Sequence, residues 1–340
     1  VKAESIAIIG AGPAGATLAR RLAEAGRPVT LFDHRAPWEK PCGGMLGHTT
    51  RRLEAELEGY PYPLATCSRI RCLSPAGRSK VVECADPIPV VSRRELGRFL
   101  LDRAREAGAQ FVPRKVLALS RAGSQWRLQA GTRDYDVDLV VGADGARSLV
   151  RRYCLDPIPD GQLALICGYL GTGLPTDEYL FAFPDFEGFL YLVPRTGITG
   201  IGIGARVGAL SGTELFNRID RFIGERGGGF EVERRFAALL PMVRDPAFFA
   251  QRCSGENWLL VGDAAGHVDP LLGEGIVYAV GSAHCAAEAL ADGEIGAYED
   301  IWRQRYGEVL QEGAAFRARL AELAAEGDPR LYGVMTYERI

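Results

Sequence analysis

Apolar positions along the chain fall into two rhythms, one helical and one strand-like, and the change between them marks its organisation. Residues 5–33, "SIAIIGAGPAGATLARRLAEAGRPVTLFD", predict a buried strand at Ile6–Ile9, a glycine-rich turn, and a helix carried by Ala14, Leu18 and Leu22. Gly26 stops that helix, and the apolar run ending at Asp33 predicts a second strand. Residues 91–109 predict an amphipathic helix with Leu96, Phe99, Leu100, Ala104 and Ala107 inward and a Ser92–Glu95 capping box at its start. The runs "FVPRKVLALS" and "WRLQA" predict a small appended sheet. Residues 137–152 and 257–280 each predict a buried strand running into a glycine turn. Between 160 and 206 the pattern changes to short runs, "LALICGYL", "EYLFAFP", "GFLYLVPR" and "ITGIGIGAR", which predict an antiparallel sheet joined by an earlier hairpin at 68–84. The glycines of "GIGIG" alternate along one strand face with no helix directly after them, so they do not read as a phosphate loop. A capped helix follows from Ser211, with Leu215, Ile219, Phe222 and Ile223 on one side. The chain returns to the first lobe near residue 250, and helices rich in Ala, Glu and Arg follow Asp292.

Composition narrows the class. Among 340 residues, 42 glycines and 47% hydrophobic content suit an α/β enzyme with tight turns and a large core, and argue against disorder. A formal charge of −3 gives no reason to expect nucleic acid as a partner. The Arg pairs at 51–52, 93–94, 151–152 and 234–235 are scattered, the pattern of solvated surface or single-phosphate contacts. No apolar run approaches the roughly 18 residues of a membrane span, so no transmembrane segment is expected, and the N-terminus leads into a strand without a signal peptide. Eight cysteines show neither C-x-x-C pairs nor zinc-type spacing with the four histidines. That predicts reduced thiols, no metal site and a cytoplasmic protein, with peripheral contact at a membrane surface left open.

The turn after the first strand carries candidate chemistry. Gly10-Ala11-Gly12-Pro13-Ala14-Gly15 is G-x-G-x-x-G between strand and helix. Gly10 permits the tight turn, Gly12 lets a pyrophosphate approach the backbone, and Gly15 lets helix and strand pack closely. The helix start offers free N–H groups and positive dipole to phosphates. Asp33, followed by His34 and Arg35, ends the second strand where a ribose hydroxyl would be bound. These features predict a bound dinucleotide without choosing between NAD and FAD.

Two later segments choose. "VDLVVGADGARSLVRR" (137–152) contains Asp144 and Gly145, and "NWLLVGDAAGHVDPLLGEGIVYAV" (257–280) contains Gly262, Asp263, Gly273, Gly275 and Ile276. With the first motif, this trio resembles the glutathione-reductase-type flavoproteins of the p-hydroxybenzoate hydroxylase branch. The resemblance spans residues 5 to 280 and implies FAD, with Asp263 on the ribitol chain and Asp144 and Gly145 organising the pyrophosphate region. It also implies an FAD contact for Arg93 and an adenine contact for Val116. Gly273 and Gly275 would let the backbone press on a flat ring, while the helix beginning near Ile276 would aim its positive end at the reduced flavin.

Within that branch, Lys40-Pro41-Cys42-Gly43-Gly44 is similar to the K-x-C-G-G segment of the geranylgeranyl reductase family. "GDAAGHVDPLLGEGI" (262–276) resembles that family's version of the second motif, and Phe189-Leu190-Tyr191-Leu192-Val193-Pro194 stands where its Y-x-W-x-F-P signature falls. The resemblance implies an α/β fold. A Rossmann-like FAD-binding domain would comprise 1–67, 88–159 and 250–292, and a smaller antiparallel-sheet substrate domain 68–87 and 160–249. Residues 293–340 would form a C-terminal helical segment. It further implies FAD-dependent hydride transfer to or from a carbon–carbon double bond of a hydrophobic, isoprenoid or lipid-like substrate. Cys42 would lie by the flavin with Gly43, Gly44 and Met45, as proton donor or packing group, and Phe189, Tyr191 and Pro194 would line the substrate site.

Tyr191 and Phe189 depart from the family's Trp and Tyr, which points to a differently shaped tunnel. His267 stands where an apolar or aromatic residue is usual; it is a proton-transfer candidate or a packing histidine. A flavin monooxygenase shares most of these motifs but usually shows G-D-A-A-H, where Gly266 stands here. A halogenase would show W-x-W-x-I-P, and a non-catalytic flavoprotein would lack substrate-dependent turnover. No second dinucleotide motif is present, so NADPH docking transiently or an electron-transfer protein is the expected reductant.

Overall fold

A computed structural model describes residues 5–47, 53–73, 78–174, 176–182 and 188–326, with side chains through Arg319 in the last helix. The turn of the expected 68–84 hairpin and the expected C-terminal segment beyond 326 lie outside the described residues.

The four-residue strand Ile6–Ile9 is buried along its whole length because both faces of its sheet are covered. It lies fourth in a six-stranded sheet, ordered Ser254–Gly255, Trp258–Leu260, Leu139–Gly142, Ile6–Ile9, Val29–Phe32, Gln110–Val112. All pairs are parallel except the first, so the carboxyl ends of five strands meet on one edge. From Ile6–Ile9 the chain goes to Val29–Phe32 on one side and later to Leu139–Gly142 on the other. That change of direction opens the crevice where doubly wound sheets bind ligands. Phe111 and Val112, expected in the small appended sheet, extend this large one instead. The appended sheet is Val116–Ala122, Gln125–Ala130 and Arg133–Val137.

Helix Pro13–Glu24 packs against the first strand, with Leu18 and Leu22 almost wholly buried. Helix Arg93–Glu106 buries Leu96, Leu100 and Leu101, while Phe99 and Ala107 stay half-buried. Its cap differs from the expected box. The Ser92 hydroxyl accepts from Glu95 N at 3.3 Å, but Glu39 supplies the carboxylate, accepting from Arg93 N at 3.0 Å and Arg94 N at 3.1 Å. A carboxylate from another segment does the same electrostatic work at the helix start as a local one and also ties that segment down.

A seven-stranded sheet covers the crevice, in the order Glu231–Pro241, Leu163–Thr172, Ile198–Arg206, Gly188–Arg195, Tyr179–Ala182, Ala65–Leu73, Ser79–Val90. It departs from expectation in three ways. Tyr179–Ala182 pairs in parallel with Ala65–Leu73, so the sheet is mixed. The strand from Ser79 continues to Val90, past the boundary expected at 87. Strand Glu231–Pro241 has no counterpart in the apolar pattern, because it is an edge strand whose first half is charged and largely exposed.

Period-two alternation gives this sheet two different faces. Leu190, Leu192, Ile201 and Ile203 pack with Leu215 and Ile219 of helix Gly212–Gly224, which begins with the capping box Ser211–Glu214. On the other face Phe189, Tyr191 and Val193 lie directly across from Gly204, Gly202 and Gly200. The glycines provide the room: a Cβ on Gly202 would come within 2.4 Å of the Tyr191 ring. Among the described residues no helix is long and apolar enough to cross a membrane.

Gly202→Ala should therefore displace the Tyr191 ring and lower stability by about 1–3 kcal/mol. Urea unfolding followed by circular dichroism checks it; an unchanged midpoint would show that the ring has room to spare.

Candidate active site

Two adjoining cavities occupy the crevice. The first, about 590 Å³, runs from Gly10, Gly12, Pro13 and Ala14 past Asp33, His34, Arg35, Val116, Asp144 and Gly145 to Lys40 and Asp263. The second, about 130 Å³, is lined by Cys42, Gly43, Gly44, Met45, Arg93, Phe189, Tyr191, Gly273, Gly275 and Ile276. Pro13, Lys40, Leu239, Asp263 and Ala279 line both.

Each of the three motif glycines meets a different neighbour. A Cβ on Gly15 would sit 1.9 Å from the Gly10 carbonyl, and one on Gly10 would sit 2.3 Å from that of Ala143. Those two glycines serve close packing of the chain on itself, and Gly10 also adopts φ +103°. A Cβ on Gly12 would meet nothing within 4 Å, so its surface is free for a ligand. Helix Pro13–Glu24 has no side-chain cap, leaving N–H groups at its start for an anion. Asp33 Oδ2 accepts from Ala11 N at 2.9 Å and Oδ1 from Arg35 N at 2.7 Å, so this carboxylate shapes the turn as well as lining the cavity. Asp144 Oδ1 is buried with no partner among the described residues. These features fit the phosphates and ribose of a dinucleotide.

At the junction Lys40 Nζ lies 2.9 Å from Asp263 Oδ2. Beyond it the Cys42 loop is held from several sides. Glu39 accepts from Arg195 Nη2 at 2.6 Å, the Ser92 hydroxyl at 2.8 Å and the two helix N–H groups already described. Burial opposes its charge, but the Arg195 guanidinium and these donors outweigh burial and lower its pKa to about 2. Val91 N donates to the Gly44 carbonyl at 2.8 Å, and Gly44, at φ +82°, could not carry a Cβ without striking the Val91 carbonyl. Cys42 Sγ accepts from Gly44 N at 3.3 Å. Burial pushes the thiol up, yet the Arg93 charge, the Gly44 N–H and Lys40 more than offset it, and the thiol lies below its ordinary range.

On the opposite wall the Tyr191 ring faces the loop, 3.5 Å from where a Cβ on Gly43 would sit, and Phe189 stacks on Phe181 with centroids 4.9 Å apart. The Tyr191 hydroxyl is buried without a partner among the described residues, and burial raises its pKa, so it stays protonated. Helix Ile276–Ala291 begins at this cavity with no side-chain cap.

Five expected site residues line neither cavity. Ala11 and Gly15 support the turn from behind. Gly262, at φ +58°, lets its strand end pack on Ala14 and Ala279. Pro194 is out of phase with Phe189 and Tyr191 on a pleated strand, so it belongs to the other face. His267 is fully buried, its ring 4.4 Å from that of Trp302, Nδ1 3.3 Å from the Tyr306 hydroxyl and Nε2 3.9 Å from Cys253 Sγ. Burial holds its pKa at about 3, so it is a neutral packing group rather than a proton carrier at the cavities. Leu239, Leu240 and Ala238 line the cavities from the unanticipated edge strand, whose last residues are its apolar ones. The unbroken run "FAALLP" was their one signal.

A family model described as FAD binding domain matches residues 3–159. A menaquinone reductase of Mycobacterium tuberculosis is 32% identical over 89% of this chain and 80% of its own. The chain belongs to the geranylgeranyl reductase family of FAD-dependent oxidoreductases. Within the family, digeranylgeranylglycerophospholipid reductase 2 of Methanothermobacter thermautotrophicus is 29% identical over 94% of this chain and 89% of its own. The fold is that of a geranylgeranyl bacteriochlorophyll reductase-like protein from Thermoplasma acidophilum, with TM-score 0.84 and 20% identity over 98% of this chain and 92% of that one.

Two outcomes follow. Gly12→Ala should weaken FAD binding about tenfold or more, roughly 1.4 kcal/mol, with stability unchanged, whereas Gly15→Ala should lower stability itself. Flavin fluorescence titration beside urea unfolding separates them. Arg93→Met should raise the Cys42 pKa, seen as a shift to higher pH of its alkylation rate in peptide-resolved mass spectrometry; an unshifted profile would remove Arg93 as the cause.

Proposed function

We propose that this oxidoreductase uses FAD to reduce a carbon–carbon double bond of a hydrophobic, polyprenyl-type lipid. The observation that carries the reading is the Cys42 thiol. It is held below its ordinary pKa on a pinned loop, at an aromatic-walled cavity that adjoins the dinucleotide cavity. The names of the relatives, a menaquinone reductase and a digeranylgeranylglycerophospholipid reductase, support a lipid with an isoprenoid chain.

In this reading Gly12, the start of helix Pro13–Glu24, Asp33, Val116 and Asp144 hold the nucleotide half of FAD. Lys40 and Asp263 meet its ribitol chain, and Gly43, Gly44, Gly273 and Gly275 face its ring. Bound FAD supplies the hydride chemistry. Arg93 and the Gly44 N–H stabilise the thiolate left when Cys42 Sγ gives up its proton, so the thiol is suited to protonating the second carbon of the double bond. Phe189 and Tyr191, with Ile166 and Tyr179 beside them, orient an apolar chain and keep water from it. The reductant is NADPH or an electron-transfer protein, and a lipid substrate calls for peripheral contact with a membrane surface.

Anaerobic mixing of dithionite-reduced holoenzyme with a geranylgeranyl lipid should yield a product heavier by two hydrogens for each double bond saturated. Cys42→Ser should slow that reaction about 100-fold or more. An oxygenated product formed only in air would replace this reading with hydroxylation.

A further inference from the structure

The last described helix, Glu308–Glu326, puts a guanidinium in the interior. Arg317 is only 2% exposed, and its Nη1 donates to the Leu271 carbonyl at 3.4 Å. Leu271 belongs to the turn Asp269–Gly275, whose Leu272, Gly273, Glu274 and Gly275 line the second cavity. The turn is closed on Asp269 from both ends. Asp269 Oδ1 accepts from Leu271 N at 2.9 Å and Leu272 N at 2.7 Å, while its N donates to the Glu274 carbonyl and its carbonyl accepts from Gly273 N, each at 3.0 Å. The helix fits against this turn closely: a Cβ on Gly313 would approach Pro270 to 3.0 Å. Phe316 packs against the cluster that holds Phe189, Tyr191, Leu240 and Leu272.

A buried carboxylate and a buried guanidinium converge on that turn. Burial raises the Asp269 pKa in spite of its two N–H donors and the Arg317 charge. Burial also lowers that of Arg317 to about 10, with Arg244 acting against it and Asp269 in its favour. Charges this costly to bury are retained where they hold a defined geometry or shape a field.

We propose that Arg317 is a positioning residue of the active site: through Asp269 and the Leu271 carbonyl it holds the Asp269–Gly275 turn and sets how readily the flavin facing that turn is reduced. This rests on the reading that the FAD ring faces Gly273 and Gly275. Reduced flavin carries negative charge, and a nearby cation favours it. Without Arg317, the Asp269 carboxylate behind that turn loses its compensating charge, which disfavours added negative charge on the ring that the turn faces.

The test is the midpoint potential of bound FAD in purified holoenzyme, equilibrated with a reference dye. Arg317→Met and Arg317→Gln should both shift it to lower potential, Arg317→Lys should keep it near wild type, and Arg319→Met, on the exposed side of the same helix, should leave it unchanged. Should Arg317→Met not fold, Arg317→Gln decides, because it retains hydrogen-bond donors and lacks only the charge. Wild-type potential in Arg317→Gln overturns the proposal, as does a shift in Arg317→Lys as large as that in Arg317→Gln. Absence of FAD from wild-type protein would overturn the flavin reading itself, and the proposal with it.

Discussion

Five strands of one sheet end on the same edge, and nearly everything else in the site follows from that. A parallel strand must hand its chain to a turn at its carboxyl end, and those turns here are Gly10–Gly15, Asp33–Arg35, the loop past Val112 that leads to Val116, Ala143–Gly145 and Gly262–Asp263. Residues separated by more than two hundred positions in the chain thus reach one crevice without any long loop having to find its way there. The order of strands changes direction at Ile6–Ile9, and the gap this leaves is where the first cavity lies.

The second cavity depends on a different kind of constraint, the pairing of charges that cannot be left alone. Glu39 is held by groups from helix Arg93–Glu106 and strand Gly188–Arg195, so one carboxylate fastens the Cys42 loop to both lobes. Lys40, the next residue, reaches Asp263 from the central sheet. Removing Arg195 would leave the mostly buried Glu39 carboxylate uncompensated, typically several kcal/mol. The Cys42 loop is short and glycine-rich, and its order comes from these attachments rather than from its own backbone.

The parts of the fold that could be read from sequence are those whose signal is local. The motif Gly10–Gly15 shows because turn, strand and helix stand next to one another, and helix Gly212–Gly224 shows because its capping box and apolar stripe are contiguous. Strand Glu231–Pro241 was not legible, since a half-solvated edge strand carries charges that mask the alternation. Nor was the parallel pairing of Tyr179–Ala182, because strand direction is a property of the sheet and not of the segment. At the site, the place of each glycine in the motif already assigns it a different task, and in the fold Gly12 faces open space while Gly10 and Gly15 face their own backbone. His267 looked chemically interesting because it stands where an apolar or aromatic residue is usual; its neighbours Trp302 and Tyr306, far along the chain, make it a core residue.

The row Gly200, Gly202 and Gly204 has a consequence for how such a protein changes over generations. The bulk lining that wall comes from Phe189 and Tyr191, but their depth is governed by residues on the adjacent strand, which add no side-chain volume of their own. The room that row leaves is already taken by the wall's own side chains, so any Cβ added there pushes them toward the cavity. A lineage can therefore narrow this chamber one methyl group at a time from the neighbouring strand, at a cost in packing, while the side chains of the wall keep their chemistry.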